Sequence, residues 1–160
     1  MTIRAFLLAL AFWGVAEAQT YNNASLNTKY YFRELYFVTD GTGNPTDVRS
    51  ASGAIAFDGK GGYSVIATEN VGTGNSAALN VSGTYAMASN AAITLSDPLL
   101  PSGSINARFS TEAVFGSSSD ATGNTFDFFI AIPELAGGYT AKNLSGTYYI
   151  STFEITIAGG

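Results

Sequence analysis

Nucleophilic and metal chemistry is restricted in this chain, because its 160 residues include no histidine and no cysteine. The chain cannot form a Ser-His-Asp triad, a thiolate nucleophile, a cysteine or histidine zinc site, or a histidine-ligated haem. What remains is the chemistry of carboxylates, serine–lysine pairs and metal sites built from oxygen ligands. The sequence has no Ser-x-x-Lys arrangement to indicate an activated serine.

Paired carboxylates are the remaining route to an enzyme. Glu34, Glu112 and Glu154 lie on or beside predicted strands, and a glycosidase needs two such groups about 5–10 Å apart across a cleft. The acidic residues are spread over turns and strand faces, which is typical of solvated charge. The sequence therefore predicts no catalytic residue and no cofactor, and a carboxylate-based hydrolase is the least favoured function.

One short loop gathers oxygen ligands for a hard cation. Asp40, Asn44 and Asp47 lie within eight consecutive residues, and carboxylate and amide oxygens are the ligands that calcium prefers. The loop lacks the ligand spacing and the distal glutamate of an EF-hand. Aspartate, asparagine and glycine also favour tight turns. The sequence therefore favours a hairpin turn here, with a calcium site as the alternative.

Arg33 is the charged residue that most needs a structural explanation. Alternation places it in one row with Leu35 and Phe37, and we expect this row to face the core. A buried charge is costly unless it is paired, and Glu112 is the expected partner. Such a pair could anchor a ligand inside a barrel. The structural alternative is a buried ion pair, or an arginine that reaches solvent at a barrel end.

Tyrosines are the other candidates for ligand contact. Tyr36 and Tyr63 belong to a set of rings that could stack on a small ligand or a glycan. Ordinary β proteins use the same rings in their cores and on their sheet surfaces. The residues predicted to bind a ligand are Arg33, Glu112, Tyr31 and Tyr85.

Strands must position these residues, because composition and periodicity are those of a β protein. Charged residues make up only 12% of the chain, and small turn-forming residues are abundant. Over residues 125–132 an apolar row alternates with a mixed row, which is the period of a half-buried strand. The apolar row contains Phe126, Phe128, Ile130 and Ile132. The predicted strands lie near residues 29–38, 50–57, 62–69, 78–88, 91–96, 103–109, 111–116, 124–132 and 144–157.

Short connections between these strands predict the architecture. Asp-Gly and Gly-Gly pairs supply the positive φ angles that tight hairpins need. Eight strands precede residue 133, which predicts an all-β antiparallel meander of eight or nine strands, closed or nearly closed as a barrel. A two-sheet sandwich is the alternative. The ninth segment, 144–157, either pairs beside the first strand or begins a second repeat.

The N-terminus has the features of a signal peptide. A basic start at residues 1–4 is followed by an apolar run at residues 5–15, and Ala16-Glu17-Ala18 ends it with small residues at the cleavage positions. We expect a signal helix over 1–18, one β domain over 19–160 and a secreted protein, extracellular or periplasmic, with no membrane span after cleavage. The net charge of -5 argues against nucleic acid or anionic membrane as a partner.

A short motif occurs three times along the chain. Leu26-Asn-Thr-Lys-Tyr-Tyr31 matches Leu144-Ser-Gly-Thr-Tyr-Tyr149, and Val81-Ser-Gly-Thr-Tyr85 is a shorter copy. If the match reflects duplication, residues 144–160 are the start of a second module in a longer tandem array. Chance repetition in a tyrosine-rich β protein is the alternative.

Several segments carry a family resemblance: Leu144-Ser-Gly-Thr-Tyr-Tyr, Tyr31-Phe-Arg-Glu-Leu-Tyr-Phe37, Gly53-Ala-Ile-Ala-Phe57, Ile105-Asn-Ala-Arg108 and Thr111-Glu112-Ala-Val. They resemble segments of uncharacterised secreted proteins from soil bacteria of the acidobacterial type. The resemblance spans most of residues 26–155. It implies secretion and a repeated β module, and it brings no known activity with it.

The function favoured by the sequence is a secreted structural or interaction β module with a partner at the cell surface or in the matrix. A barrel that binds a small ligand or a glycan is the alternative. The two differ in whether the barrel interior is filled by side chains or holds a solvent-connected cavity lined by tyrosine and a charge.

Overall fold

Eight antiparallel strands form a closed barrel in the computed structural model, which describes residues 19–72, 74–118 and 124–147. Each strand pairs with the next along the chain, and the last pairs with the first. The strands are β1 (Lys29–Thr39), β2 (Pro45–Phe57), β3 (Gly62–Val71), β4 (Asn75–Met87), β5 (Ala92–Ser96), β6 (Ser104–Phe109), β7 (Val114–Ser117) and β8 (Thr125–Pro133). The predicted closed barrel is confirmed, and the sandwich alternative is wrong.

The structure leaves no free edge of β1 for the predicted ninth strand. Both edges of β1 are occupied, one by β2 and the other by β8, along almost the whole strand. Residues 141–144 form a 3₁₀ helix, and no strand includes residues 145–147. The rest of that segment, including Glu154, lies outside the described residues, as do the predicted signal peptide over 1–18 and most of the proposed second repeat.

The alternation predicted for β8 is present, but its apolar row faces outward. Asp127, Phe129 and Ala131 point into the barrel and are buried. An eight-stranded barrel has room inside only for closely packed side chains. The inward row meets this limit, because Phe129 lies opposite Gly116 and Ala131 lies opposite Val114. A row of four large side chains at the same place would overfill the interior.

Aromatic and aliphatic side chains fill the interior around Phe57. Its ring contacts those of Tyr30, Tyr63 and Tyr85, with centroids 5.5, 6.1 and 5.1 Å away. Tyr30 and Tyr85 occupy equivalent positions in two copies of the repeated motif, and both are buried. The largest fully buried apolar side chains are Phe129, Leu26, Ile55, Leu95, Ile105, Val65 and Val114.

The chain entering β1 closes one end of the barrel. A 3₁₀ helix, Asn23–Ser25, precedes the fully buried Leu26. The Tyr85 hydroxyl lies 2.9 and 2.8 Å from the carbonyl oxygens of Asn23 and Leu26. The backbone N–H of Met87 donates to Asn23 Oδ1 at 2.8 Å. Backbone groups of this entry segment, which would otherwise be buried without partners, are thereby satisfied.

Candidate functional site

Three carboxyl groups point into the barrel towards the end opposite the entry segment. Glu34 lies in the middle of β1 and is 0% exposed, while Asp97 follows β5 and Asp127 lies in β8. Carboxylates are almost never fully buried unless they are paired. The cluster is therefore the first place to look for function.

Glu34 is protonated at neutral pH. Burial raises its pKa from the ordinary value of 4.5 to about 10, and the charge of Asp97 adds to the rise. Neither carboxyl oxygen of Glu34 accepts a hydrogen bond from the described residues. The protonated group is instead a donor, and it donates to Asp97. The proton on Glu34 thus forms a hydrogen bond between two buried carboxyl groups.

Asp97 is held by the turn that follows β5. Its Oδ1 accepts the backbone N–H groups of Leu99 and Leu100 at 2.7 and 2.9 Å. Burial raises the pKa of Asp97, and these two donors oppose that rise. The side chain therefore has a local structural role, as the acceptor that closes an Asx-type turn.

Asp127 joins β7 to β8 where their backbone ladder stops. The last paired residues are Gly116 and Phe129, and beyond them the N–H of Ser118 donates to Asp127 Oδ1. In register, Asp127 lies opposite Tyr36, which lies opposite Arg49 on β2. Together with the three carboxyl groups, these residues form a polar layer, which extends around the barrel wall from β8 across β1 to β2.

Arg49 is the cation of this layer. It forms ion pairs with Asp47 at 2.8 Å and with Glu69 at 3.4 Å, and its guanidinium lies 5.8 Å from the centre of the Tyr36 ring. No group of three or more carboxylates within the described ranges is arranged to hold a metal ion. The polar layer is therefore a network of hydrogen bonds and ion pairs.

This arrangement does not favour catalysis. A general acid must come within hydrogen-bond reach of a substrate atom, and Glu34 is fully buried among packed side chains. Its proton already has an acceptor in Asp97. The cluster acts as a polar part of the core, and its consequence is a dependence of stability on pH.

The four predicted ligand-binding residues do not come together. Arg33 and Tyr31 are on the outer face of β1, so the prediction that their row faces the core is wrong. Glu112 is exposed in the β6–β7 connection, where the structure gives it no ion pair with Arg33. Tyr85 is inside the barrel. The even-numbered row of β1 faces inward because it holds Tyr30 and the other rings that fill the core.

The predicted calcium loop is closed on Asp40. Its Oδ1 accepts the backbone N–H groups of Thr42 and Asn44 at 2.8 and 2.9 Å, and the Thr42 hydroxyl at 2.7 Å. These donors lower the pKa of Asp40 to about 2. Asp47, the third candidate ligand, is paired with Arg49. The geometry is that of the hairpin turn which the sequence favoured.

An apolar surface covers the outside of β7, β8 and β1, and we call it the β8 face. Its large side chains are between 37% and 54% exposed, far more than an average core residue. The Phe37 and Phe126 rings stack at its edge with centroids 5.1 Å apart. The most exposed members are Phe115, Phe126, Phe128, Ile130, Ile132 and Tyr31.

Two hollows lie at the β8 face, and each is lined by one arginine. The smaller lies between β1 and β8, whereas the larger lies beside the face, over β5, β6 and β7, and reaches it at Phe115 and Phe128. The larger, of about 460 Å³, is lined by Phe115, Phe128 and Arg108 among others. The smaller, of about 280 Å³, is lined by Arg33 together with Tyr31, Phe32, Ile130 and Ile132. No aspartate or glutamate lines either hollow. The surface therefore combines apolar recesses with positive charge.

Sequence reasoning did not identify the β8 face. The apolar row of β8 was visible as a pattern, but a row of that composition is typical of a core. The informative signal was the companion row, in which Asp127 and Ala131 alternate with Phe129, because small residues suit a narrow interior. Arg108 and Phe115 had no distinguishing pattern of their own.

Comparison of the chain with protein-family models, with curated proteins and with solved structures finds no match. Among the residues that the structure describes, no helix is long and apolar enough to cross a membrane. Function is therefore inferred from the β8 face and the buried carboxyl cluster.

Proposed function

We propose that this protein is an exported interaction module that binds a polypeptide partner through the β8 face. The observation that carries the proposal is the contiguous set of exposed aromatic and aliphatic side chains on β7, β8 and β1. Large exposed apolar patches on soluble domains mark sites of interaction. Export remains a prediction from residues 1–18.

Charge indicates the chemistry of the partner. The chain carries a net charge of -5, yet the charged residues lining the two hollows are Arg33 and Arg108. Arg33 has no ion-pair partner among the described residues, and Arg108 donates only to the carbonyl oxygen of Asn90 at 3.1 Å. A partner with aliphatic side chains for the hollows and carboxylates for the arginines complements this face.

A polypeptide fits this description better than a membrane does. An anionic bilayer would attract the two arginines but repel the acidic remainder of the chain. A protein segment, by contrast, can place its carboxylates opposite the two arginines and uncharged side chains elsewhere. Two of the tyrosines predicted to stack on a ligand, Tyr63 and Tyr85, pack against Phe57 inside the barrel instead.

Peptides of defined charge test the proposal directly. The probes are extended peptides in which leucine alternates with glutamate, a matched set with lysine in place of glutamate, and anionic phospholipid vesicles. We expect the acidic peptides to bind, measured by fluorescence anisotropy, and added salt to weaken them. Phe128→Ser and the pair Arg33→Glu with Arg108→Glu should each reduce affinity about tenfold or more.

Ile66→Ser is the matched control. Ile66 is the most exposed large apolar residue described, at 74%, and it lies on β3, away from the β8 face. Its replacement should leave peptide affinity unchanged. Equal binding of both peptide sets, binding only to vesicles, absence of binding, or an equal loss in Ile66→Ser would each refute the proposal.

A further inference from the structure

Among the described residues, the N-terminal part of β4 has an open edge, which lies apart from the β8 face. β4 spans thirteen residues and pairs with β3 along almost all of them. Its other neighbour, β5, spans five residues and pairs with β4 only at Tyr85, Ala86 and Met87. Residues 75–82 therefore extend past the end of β5.

The direction of each backbone group along this edge follows from one hydrogen bond. The N–H of Tyr85 donates to the Gly61 carbonyl at 2.8 Å, so Tyr85 points its backbone groups towards β3. Bonded and non-bonded residues alternate in an antiparallel ladder. The residues whose backbone groups point away from β3 are therefore Ser76, Ala78, Asn80, Ser82 and Thr84.

Within the part of the chain that the structure describes, only Thr84 has a partner for these backbone groups. Ser96 Oγ lies 2.9 Å from the N–H of Thr84 and 3.3 Å from its carbonyl oxygen. The other four have no hydrogen-bond partner for these groups among the described residues, and all four are exposed. Ser96 thus marks the point where the barrel wall stops and the open edge begins.

The edge lacks the usual protection against pairing. Natural sheets block open edges with lysine, proline, inward charges or bulges. The whole of Asn75–Met87 contains no charged residue and no proline, and its register with β3 is unbroken. An edge of this kind selects an extended polypeptide strand, because only a strand satisfies a row of alternating N–H and C=O groups.

We infer that the occupant is the same edge of a second copy of this chain. An antiparallel two-fold pairing centred on Leu79 places Ser76 opposite Ser82 and Ala78 opposite Asn80. All four open residues of each copy then fall in bonded positions, which gives about eight hydrogen bonds between the copies. Every facing side chain is uncharged, so no like charges meet.

The overall charge of the chain also favours this edge for self-association. Two copies that each carry a net charge of -5 repel one another. They approach most closely at a neutral surface, and β4 is the longest strand without a charged residue. The two barrels then form one continuous sheet across the dimer axis.

Proline scanning of adjacent positions tests the inference. Ala78→Pro removes an N–H that points out of the barrel, and proline is tolerated on an open edge. We expect it to fold like the wild type and to raise the dimer dissociation constant on the order of 100-fold, measured by sedimentation equilibrium. Ala77→Pro, one residue away, removes an N–H directed at β3 and should instead lower the melting temperature.

A charge at the edge gives a second variant. Asn80→Lys should raise the dissociation constant about tenfold, because the two lysines would be diagonal neighbours across the axis. Ile66→Lys is its control, since Ile66 pairs directly with Asn80 but lies on β3 away from the edge. That variant should remain a dimer.

Hydrogen exchange on the wild type keeps the inference testable if a variant fails to fold. Amides of Ser76, Ala78, Asn80 and Ser82 should become protected as protein concentration rises, while amides directed at β3 stay protected throughout. A wild type that is monomeric at its highest soluble concentration, or a folded Ala78→Pro that remains dimeric, would overturn the inference. So would exchange at the four amides that does not depend on concentration.

Discussion

One protonated glutamic acid sets how the stability of this barrel responds to pH. In the folded chain the pKa of Glu34 is about 10, against an ordinary value of 4.5. Between these values the folded state holds a proton that the unfolded chain has released, so the free energy of unfolding falls as pH rises. The stabilisation is complete below about pH 4.5 and is lost as the pH approaches about 10.

Glu34→Gln should remove most of this dependence. The amide has nearly the same shape, can still donate to Asp97 and cannot ionise. We expect the variant to be more stable than the wild type in alkaline solution and to have a flatter profile, with urea unfolding midpoints measured from about pH 5 to about pH 9.

Asp58→Asn provides a control of opposite sign. Backbone N–H groups of Lys60 and Gly62 lower the pKa of Asp58, so its stabilisation is lost on acidification. This variant should keep the alkaline slope of the wild type. An unchanged slope in Glu34→Gln would show that Glu34 is not the group that binds the proton.

The positions of the strands along the chain were easier to predict than which row of side chains in each strand points into the barrel. The first eight predicted strands all exist, because alternation and turn residues act locally. Which row of β1 or β8 faces inward depends on volume inside a closed barrel, and both rows of β8 contain phenylalanine. Arg33 and Phe128 were therefore misjudged or overlooked, although their strands were located correctly.

The buried cluster was out of reach of sequence reasoning for the same reason. Glu34 was identified as a carboxylate on a strand, but Asp97 and Asp127 come near it only when β5 and β8 close around β1. The pairing partners are far apart along the chain. No local pattern encodes that proximity.

Two inward glycines mark places where adjacent strands approach closely. A Cβ on Gly53 would lie 2.5 Å from Ala67 Cα, and a Cβ on Gly116 would lie 2.5 Å from the Asn106 carbonyl oxygen. Both obstacles are backbone atoms, which cannot move aside without shifting a strand. The barrel wall thus requires glycine at these positions for reasons of space.

Gly53→Ala and Gly116→Ala should each lower the free energy of unfolding by about 1–3 kcal/mol. Gly41→Ala is the matched control, because a Cβ there meets nothing within 4 Å. Urea denaturation of the three variants measures the difference. Equal stability of all three would contradict the close approach seen at Gly53 and Gly116.

For the whole molecule, the two proposed contacts lie on different sides of the ring of strands. The β8 face is formed by β7, β8 and β1, whereas the open edge belongs to β4. A dimer joined through β4 would leave both β8 faces free. Such a dimer would bind a partner with repeated segments more tightly than one barrel could, because the second contact becomes intramolecular.

The closing seam of the barrel also determines how the fold resists mechanical force. β1 begins and β8 ends at the same rim, where Tyr30 lies opposite Pro133 and the N–H of Glu134 donates to the Lys29 carbonyl at 2.8 Å. Tension applied through residues 29 and 134 would separate β1 from β8 by breaking their hydrogen bonds one after another from this rim. Each hydrogen bond would bear the load alone, so the barrel should yield at low force.

Tension between residues 41 and 134 would act differently, because these residues lie at opposite rims and the strands would be loaded along their length. Many rungs would then share the load, and rupture should need a clearly higher force in single-molecule pulling. The absence of cysteine allows handles to be attached at chosen positions. A barrel with this seam would therefore give way under traction applied at residues 29 and 134 while remaining stable in solution.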